Sequence, residues 1–401
     1  MPGALFVNIP ARGHIHPTLP VVADLVALGE PVTYCLPAED EALIRPTGAA
    51  FRAVGNALPE ARDRRGGSMS LAELPALAIR GATRTLPELL AVAAEVEPDY
   101  VVYDAYSAAG KFLARLLGLP AVATYATYAF NLASLGSGAY GRLSDPSSIQ
   151  AGLPGFDEAV AELVARFDLA PPTLFDLLLD AEPLNVAFLP RAFHPAGESF
   201  DERWVFVGPS MGARAEAVAL HDALPGTHLE GGPVVYVSLG TIYSERPGFF
   251  RTCLEAVDAT SWRVVLATGP WVDRNDLGPV PGNVVALPWV PQLEMLARTR
   301  AFVSHGGMNS TMEALAYAVP LVVVPQQAEQ RVTADRVAEL GLGRRLDPDA
   351  ATPASLREAI AWILADDGLA PRLEVMQAAA LAGGGHRRAA EEILAFARAV
   401  R

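Results

Sequence analysis

Residues 301–330 read AFVSHGGMNSTMEALAYAVPLVVVPQQAEQ, and this stretch sets the fold class. Residues 301–304 form an apolar run of strand length, and His305-Gly306-Gly307 breaks it. Asn309 or Ser310 is placed to cap a following helix, with Glu313 three to four positions on, as in a capping box. Pro320 stops that helix. Residues 321–324 are a β-branched run suited to a parallel strand buried on both faces. Strand, glycine turn, helix, strand is the repeating unit of an α/β sheet.

The same letters carry a chemistry. A helix N-terminus presents N–H groups and partial positive charge, so it holds phosphate without a metal. Gly306 and Gly307 let backbone come close to a ligand. His305 can donate to a phosphate oxygen, and Ser310 and Thr311 add hydroxyls. Glu313 can accept from a ribose diol, and Glu329 and Gln330 can grip a second polyol. Together they suit a nucleoside diphosphate carrying a sugar. An ordinary βαβ unit with a glycine turn fits the same letters.

The chain around this stretch has 401 residues, 51% of them hydrophobic, enough for two domains with sizeable cores. A formal net charge of −14 speaks against nucleic acid or an anionic membrane as partner. Cys35 and Cys253 lie far apart among apolar residues and read as core thiols. No Cys/His spacing suggests a metal. Lys111 is the only lysine. The chain begins almost at once with an expected strand, 4–9. It shows no signal-peptide pattern and no apolar run long enough to cross a membrane. A cytoplasmic protein without stable membrane insertion is expected.

Upstream, strand 4–9 enters Pro10-Ala11-Arg12-Gly13-His14-Ile15-His16-Pro17, and a helix is expected from about residue 18 to 28. Such a loop lies at the carboxyl edge of a sheet, where ligands bind, and His14 should be accessible there. Strand 100–103 ends at Asp104, which is placed to reach His14 or to cap the helix expected at 107–117. Strands are also expected at 32–36, 121–124, 185–189 and 204–207, and an irregular stretch at 55–85. Tyr125, Tyr128 and Phe130 either line an apolar pocket or simply pack. Residues 142–183 read as helices with loops. Gly136-Ser137-Gly138-Ala139-Tyr140-Gly141 matches a dinucleotide-binding glycine pattern but lacks the strand that pattern needs. After a linker at 209–232, strands recur at 234–239, 263–268 and 284–287. Trp289 then offers a surface for stacking on a base or for interdomain packing. Asp347-Pro348-Asp349 reads as a helix-entry turn rather than a metal site. Helices are expected at 353–365, 369–381 and 387–398.

Five segments, in this order and spacing, resemble one family. They are Gly13-His14 with His16-Pro17; Val237-Ser238-Leu239-Gly240-Thr241; Pro288-Trp289-Val290-Pro291-Gln292; His305-Gly306-Gly307 with Asn309, Ser310 and Glu313; and Pro325 to Gln330. The chain resembles bacterial family 1 glycosyltransferases, in particular the macrolide glycosyltransferase branch. The resemblance implies a GT-B architecture: two Rossmann-like domains facing across a cleft, 1–208 for the acceptor and 233–384 for the nucleotide sugar, with a last helix at 385–401 crossing back. It implies His14 as base with Asp104 as its orienting partner. It places Thr241, Trp289, Val290, Gln292, His305, Gly307, Asn309, Ser310, Glu313, Glu329 and Gln330 at the donor. Ile15, His16, Met69, Tyr125, Tyr128 and Phe130 are the residues expected at the acceptor. His16 stands where this branch commonly has Asn.

The expected activity is inverting transfer of a hexose, glucose foremost, from UDP to a hydroxyl of an apolar small molecule. No cofactor or metal is expected, and the chain is expected as a monomer or homodimer. A dTDP-deoxysugar transferase and an idle GT-B scaffold are the alternatives.

Overall fold

A computed structural model describes residues 3–58, 72–136, 138, 152–212, 219–224, 226–240 and 246–401. The chain divides into two compact units, Met1–Gly212 with Leu381–Arg401, and Ala213–Ala380. The boundary between the units falls after Gly212, inside the stretch expected as a linker, and Leu220–Ala223 is helical.

In the first unit β1 (Ala4–Val7), α1 (Arg12–Ala27), β2 (Val32–Leu36) and β3 (Ala50–Ala53) come first. Then follow α2 (Leu74–Val96), β4 (Tyr100–Asp104), α3 (Ala108–Leu117) and β5 (Ala121–Tyr125). The helices α4 (Phe156–Arg166) and α5 (Leu174–Leu178) precede β6 (Leu184–Ala187) and β7 (Trp204–Phe206). The strands make a seven-stranded sheet in the order β3-β2-β1-β4-β5-β6-β7, paired in parallel throughout. The order reverses between β1 and β4, so the switch point lies there.

Two expectations change. Helix α1 starts at Arg12, six residues early, and carries Pro17 and Pro20 inside it. Each proline removes one link of the helical ladder. Burial of Ile15, Thr18, Val21, Val22 and Leu25 against the sheet outweighs that loss. The stretch 55–85 is irregular only in part, because α2 already begins at Leu74.

Lys111 is 5% exposed. Its ammonium donates to the carbonyls of Asp176 (2.5 Å) and Asp180 (2.9 Å), tying the end of α5 and the segment after it to α3. Burial pushes its pKa down, and the Asp180 carboxylate opposes that shift.

The second unit runs β8 (Val234–Ser238), α6 (Pro247–Val257), β9 (Arg263–Ala267), β10 (Val284–Leu287) and α7 (Gln292–Leu296). It continues with β11 (Ala301–Ser304), α8 (Met308–Ala316), β12 (Leu321–Val323), α9 (Ala328–Glu339) and β13 (Gly343–Arg345). Helices α10 (Pro353–Ala365) and α11 (Leu369–Ala382) close it. Its sheet order is β10-β9-β8-β11-β12-β13, again parallel throughout, with the switch point between β8 and β11. Asp347 caps a short 3-10 turn by accepting from Asp349 N–H, the helix-entry turn expected there.

The last helix, α12 (Gly385–Val400), rejoins the first unit. Gly385 N–H donates to Val207 C=O, and Ala389, Ala390, Ile393 and Ala397 are buried in the core cluster with Ile15, Val22 and Tyr100. His386 pairs with Asp24 at 2.6 Å, and Arg401 with Glu30 and Asp99 at 2.6 and 2.7 Å.

Candidate active site

At the first switch point Asn8 directly follows β1 and β4 ends in Asp104. His14 lies in the first turn of α1, with 19% of its side chain exposed. Its Nδ1 lies 2.8 Å from Asp104 Oδ2. A carboxylate only accepts, so this contact puts the proton on Nδ1 and leaves Nε2 as the basic nitrogen. Asp104 is 2% exposed, and its other oxygen accepts from Tyr106 N–H at 2.9 Å. Asp104 is not the cap of α3: Ser107 is, accepting from Gly110 N–H. Gly110 in turn lets α3 lie flat on β4, because a Cβ there would collide with Tyr103, the neighbour of Asp104. Tyr106 packs edge-on against the His14 ring, with centroids 5.2 Å apart.

Behind His14 lies a buried polar group of Asn8, Thr18 and Tyr34, and Asn8 Nδ2 donates to the His14 carbonyl at 3.1 Å. Beside it a shallow concavity is lined by Val7, Asn8, Pro10, Val54, Leu89 and Ser107 among others.

The expected acceptor residues fare unevenly. Ile15 is fully buried in the core. Tyr125 packs on Trp204 with ring centroids at 4.8 Å, and Tyr128 is 1% exposed beside Phe193 and His194. These three side chains belong to the interior and form no accessible wall. His16 and Phe130 are half-buried. Met69 lies outside the described residues, as does Thr241 of the donor set.

At the second switch point His305 follows β11. Its ring sits in a cradle of Gly240 and Gly307, where a Cβ at either glycine would overlap the imidazole. Burial lowers its pKa to about 4, against a hydrogen bond with the Ser238 backbone, so the ring is neutral at pH 7. Its Nδ1 is buried and has no hydrogen-bond partner among the described residues. Helix α8 begins at Met308 with Gly307 as N-cap and no side-chain cap. Asn309 and Ser310 therefore lie inside the first turn rather than capping it, and the expected capping box is not formed.

Gln292 joins the donor set together. Its Nε2 donates to Glu313 (2.6 Å) and to Ser310 (3.2 Å), and its Oε1 accepts from Tyr236 at 3.4 Å. Glu313 is 3% exposed. Trp289 is 42% exposed, so a large part of it stays open for stacking, whereas Val290 is buried. Gln330 is 7% exposed, and its Oε1 accepts from Gln326 N–H (2.7 Å) and Gln327 N–H (3.1 Å). Its carbonyl thus shapes the loop and the start of α9. Glu329 is half-buried at the same helix end.

Residues 252–390 match the family model of the C-terminal domain of erythromycin biosynthesis protein CIII-like proteins. Over 397 residues the chain is 38% identical to NDP-glycosyltransferase YjiC of Bacillus licheniformis, covering 97% of this chain and 96% of the relative. The chain belongs to the NDP-glycosyltransferases. The oleandomycin glycosyltransferase of Streptomyces antibioticus is 32% identical to this glycosyltransferase, over 96% of this chain and 89% of the relative. The crystal structure of the calicheamicin glycosyltransferase CalG4 superposes with a TM-score of 0.83 at 32% identity, covering 98% of this chain and 97% of that one. The two parallel sheets of this glycosyltransferase, seven and six strands, are those of the GT-B fold. Among its described residues no helix is long and apolar enough to cross a membrane.

Sequence reasoning passed over Asn8, Tyr34, Tyr106 and Tyr236 in this glycosyltransferase. Asn8 gave one signal, a polar side chain directly after a buried strand. Tyr34 gave none, because its role depends on pairing β2 with β1.

Proposed function

We propose that the chain is an inverting hexosyltransferase that moves glucose from UDP-glucose to a hydroxyl of an apolar small molecule. A macrolide, polyketide or phenol fits, and the product is a β-glycoside. The His14–Asp104 pair carries this reading. His14 Nε2 takes the proton of the acceptor hydroxyl as its oxygen attacks the anomeric carbon. Asp104 fixes the ring tautomer and stabilises the imidazolium that forms, as the carboxylate does in a Ser-His-Asp triad. Attack opposite the diphosphate breaks the anomeric C–O bond and inverts the centre. The leaving diphosphate is held by the α8 N-terminus and by the single N–H of the neutral His305 ring, with no metal. Trp289 offers its ring to the nucleobase.

A dTDP-deoxysugar donor is the second reading, favoured by Gln330. With its carbonyl held by the Gln326 and Gln327 N–H groups, that side chain argues less for a fully hydroxylated sugar. The relative from Streptomyces fradiae named demethyllactenocin mycarosyltransferase, 35% identical, fits that reading too. A paired His14 and Asp104 count against an idle scaffold.

The test is turnover of UDP- and dTDP-sugars on a panel of polyketides and phenols, with and without EDTA. The expected product is a β-glucoside from UDP-glucose, formed equally well with chelator. Activity lost to EDTA and restored by magnesium overturns the metal-free reading. Turnover with dTDP-deoxysugars alone moves the assignment to the second reading, and no turnover with any donor leaves the scaffold.

A further inference from the structure

The hydrogen bonds behind His14 have a direction that can be read off. Asn8 Oδ1 accepts from Ile9 N–H at 2.7 Å, which fixes the amide: Nδ2 must face the other way. There it donates to the His14 carbonyl at 3.1 Å and to Tyr34 Oη at 2.9 Å. Tyr34, accepting from Asn8, donates its own proton to Thr18 Oγ1 at 2.7 Å. Thr18 then donates to the Ile15 carbonyl at 2.8 Å. One chain of donors thus runs from β1 through β2 into α1 and ends on two consecutive carbonyls, those of His14 and Ile15.

The three side chains are 8%, 0% and 2% exposed. A buried polar group is costly unless satisfied, and every donor assigned here has its acceptor. The helix turn they hold is a weak one. Its N-cap, Ala11, offers no side-chain cap, and Pro17 and Pro20 each remove a ladder bond. Burial raises the Tyr34 phenol well above its ordinary value, so it remains a donor at every working pH.

We propose that Asn8, Tyr34 and Thr18 are positioning residues that hold the backbone of the base, as Asp104 holds its ring. This rests on His14 being the base. The chain is short and rigid, so loosening it lets the imidazole drift from Asp104 and from the acceptor hydroxyl. A general base displaced by a fraction of an ångström loses rate steeply.

Tyr34→Phe deletes one oxygen from the middle of the chain, and Asn8→Ala removes its origin. Two acceptors separate positioning from packing: 4-nitrophenol, which ionises readily and needs little help from a base, and 2-phenylethanol, which needs a base. Both variants should lose roughly 10–100-fold in kcat on the alcohol, change little on the nitrophenol, and keep the KM for the UDP-sugar. The ring ¹⁵N spectrum gives a second readout that needs no acceptor. The His14 signal, assigned by its loss in His14→Ala, should pass from one tautomer to a mixture in Tyr34→Phe. Equal losses on both acceptors, or an unchanged tautomer, overturn the proposal, and Tyr34→Phe decides it alone where Asn8→Ala does not fold. His14→Ala on the same acceptors separates the two readings. If it shows no difference between alcohol and phenol, the base assignment has failed. If it shows that difference and Tyr34→Phe does not, only the positioning role has failed.

Discussion

His14 follows the first strand at the switch point of the seven-stranded sheet, and His305 follows the fourth strand at the switch point of the six-stranded one. His14 is partly exposed and hydrogen-bonded through Nδ1 to a buried carboxylate, which makes Nε2 its basic nitrogen. His305 lies between two glycines, with burial lowering its pKa to about 4 and with no partner for Nδ1 among the described residues. The same side chain, on opposite flanks of the two switch points, therefore suits opposite tasks. A carboxylate partner suits one ring to gaining a proton, and desolvation holds the other neutral, fit to hydrogen-bond an anion without titrating.

The sharpest way to break this contrast is to delete the first ring. His14→Ala should lower kcat by ~10²–10⁴, the usual worth of a general base, while calorimetry shows UDP binding nearly unchanged. Asp104→Asn should cost less, since Asp104 orients and stabilises but does not take the proton. If UDP affinity falls with His14→Ala as steeply as turnover does, the division of labour between the two histidines is wrong.

Next comes the second ring. His305→Gln should weaken UDP binding by roughly 1.5–3 kcal/mol, the range for a hydrogen bond to a charged group. The pH dependence of turnover should keep its shape, because His305 is already neutral across the working range. A shifted acid limb in this variant would mean that His305 titrates during turnover.

Stability offers a third comparison. The folded-state pKa of His305, about 4, lies below the ordinary 6.5, so a proton on this ring favours the unfolded chain. The stability that goes with the neutral ring is present above pH 6.5 and is lost as pH falls toward 4. Between pH 7 and pH 5 the loss is about 2 kcal/mol. Urea unfolding at the two values should show that drop in the native chain and a smaller one in His305→Gln. Equal slopes would mean that the ring is more solvated than its cradle suggests.

The smallest effect concerns Trp289. Replacing it with Ala should cost about 1 kcal/mol of UDP affinity, the low end for base–aromatic stacking, because the ring offers one open face. Unchanged affinity in the binding isotherm would leave the second unit to hold its ligand by polar contacts alone.

The βαβ unit at 301–330 was legible because Gly306-Gly307 and Pro320 punctuate it and the runs between have clear periods. Its cap was not: in Gly307-Met308-Asn309-Ser310 several residues can open a helix, and the backbone chose Gly307, in an extended conformation at φ −62° and ψ 139°. Pro17 misled in the opposite direction, reading as a stop before a helix when it lies inside one. His14 and Asp104 could be paired because both stand at strand ends of one sheet. The link from Asn8 through Tyr34 to Thr18 could not, since it depends on the register of β1 against β2 and on burial. Tyr125 and Tyr128 show the limit of composition, because an aromatic after a strand can face a ligand or the interior with the same letters.

The lone lysine has a practical consequence. Lys111 is buried against two carbonyls, so reagents that seek ε-amines find none on the folded surface. Succinimidyl dyes and aldehyde resins would pass over the folded chain's side chains. A single lysine introduced at an open position, such as Leu28→Lys where the native side chain is 61% exposed, would become the one ε-amine available for attaching the enzyme to a solid support in a defined orientation.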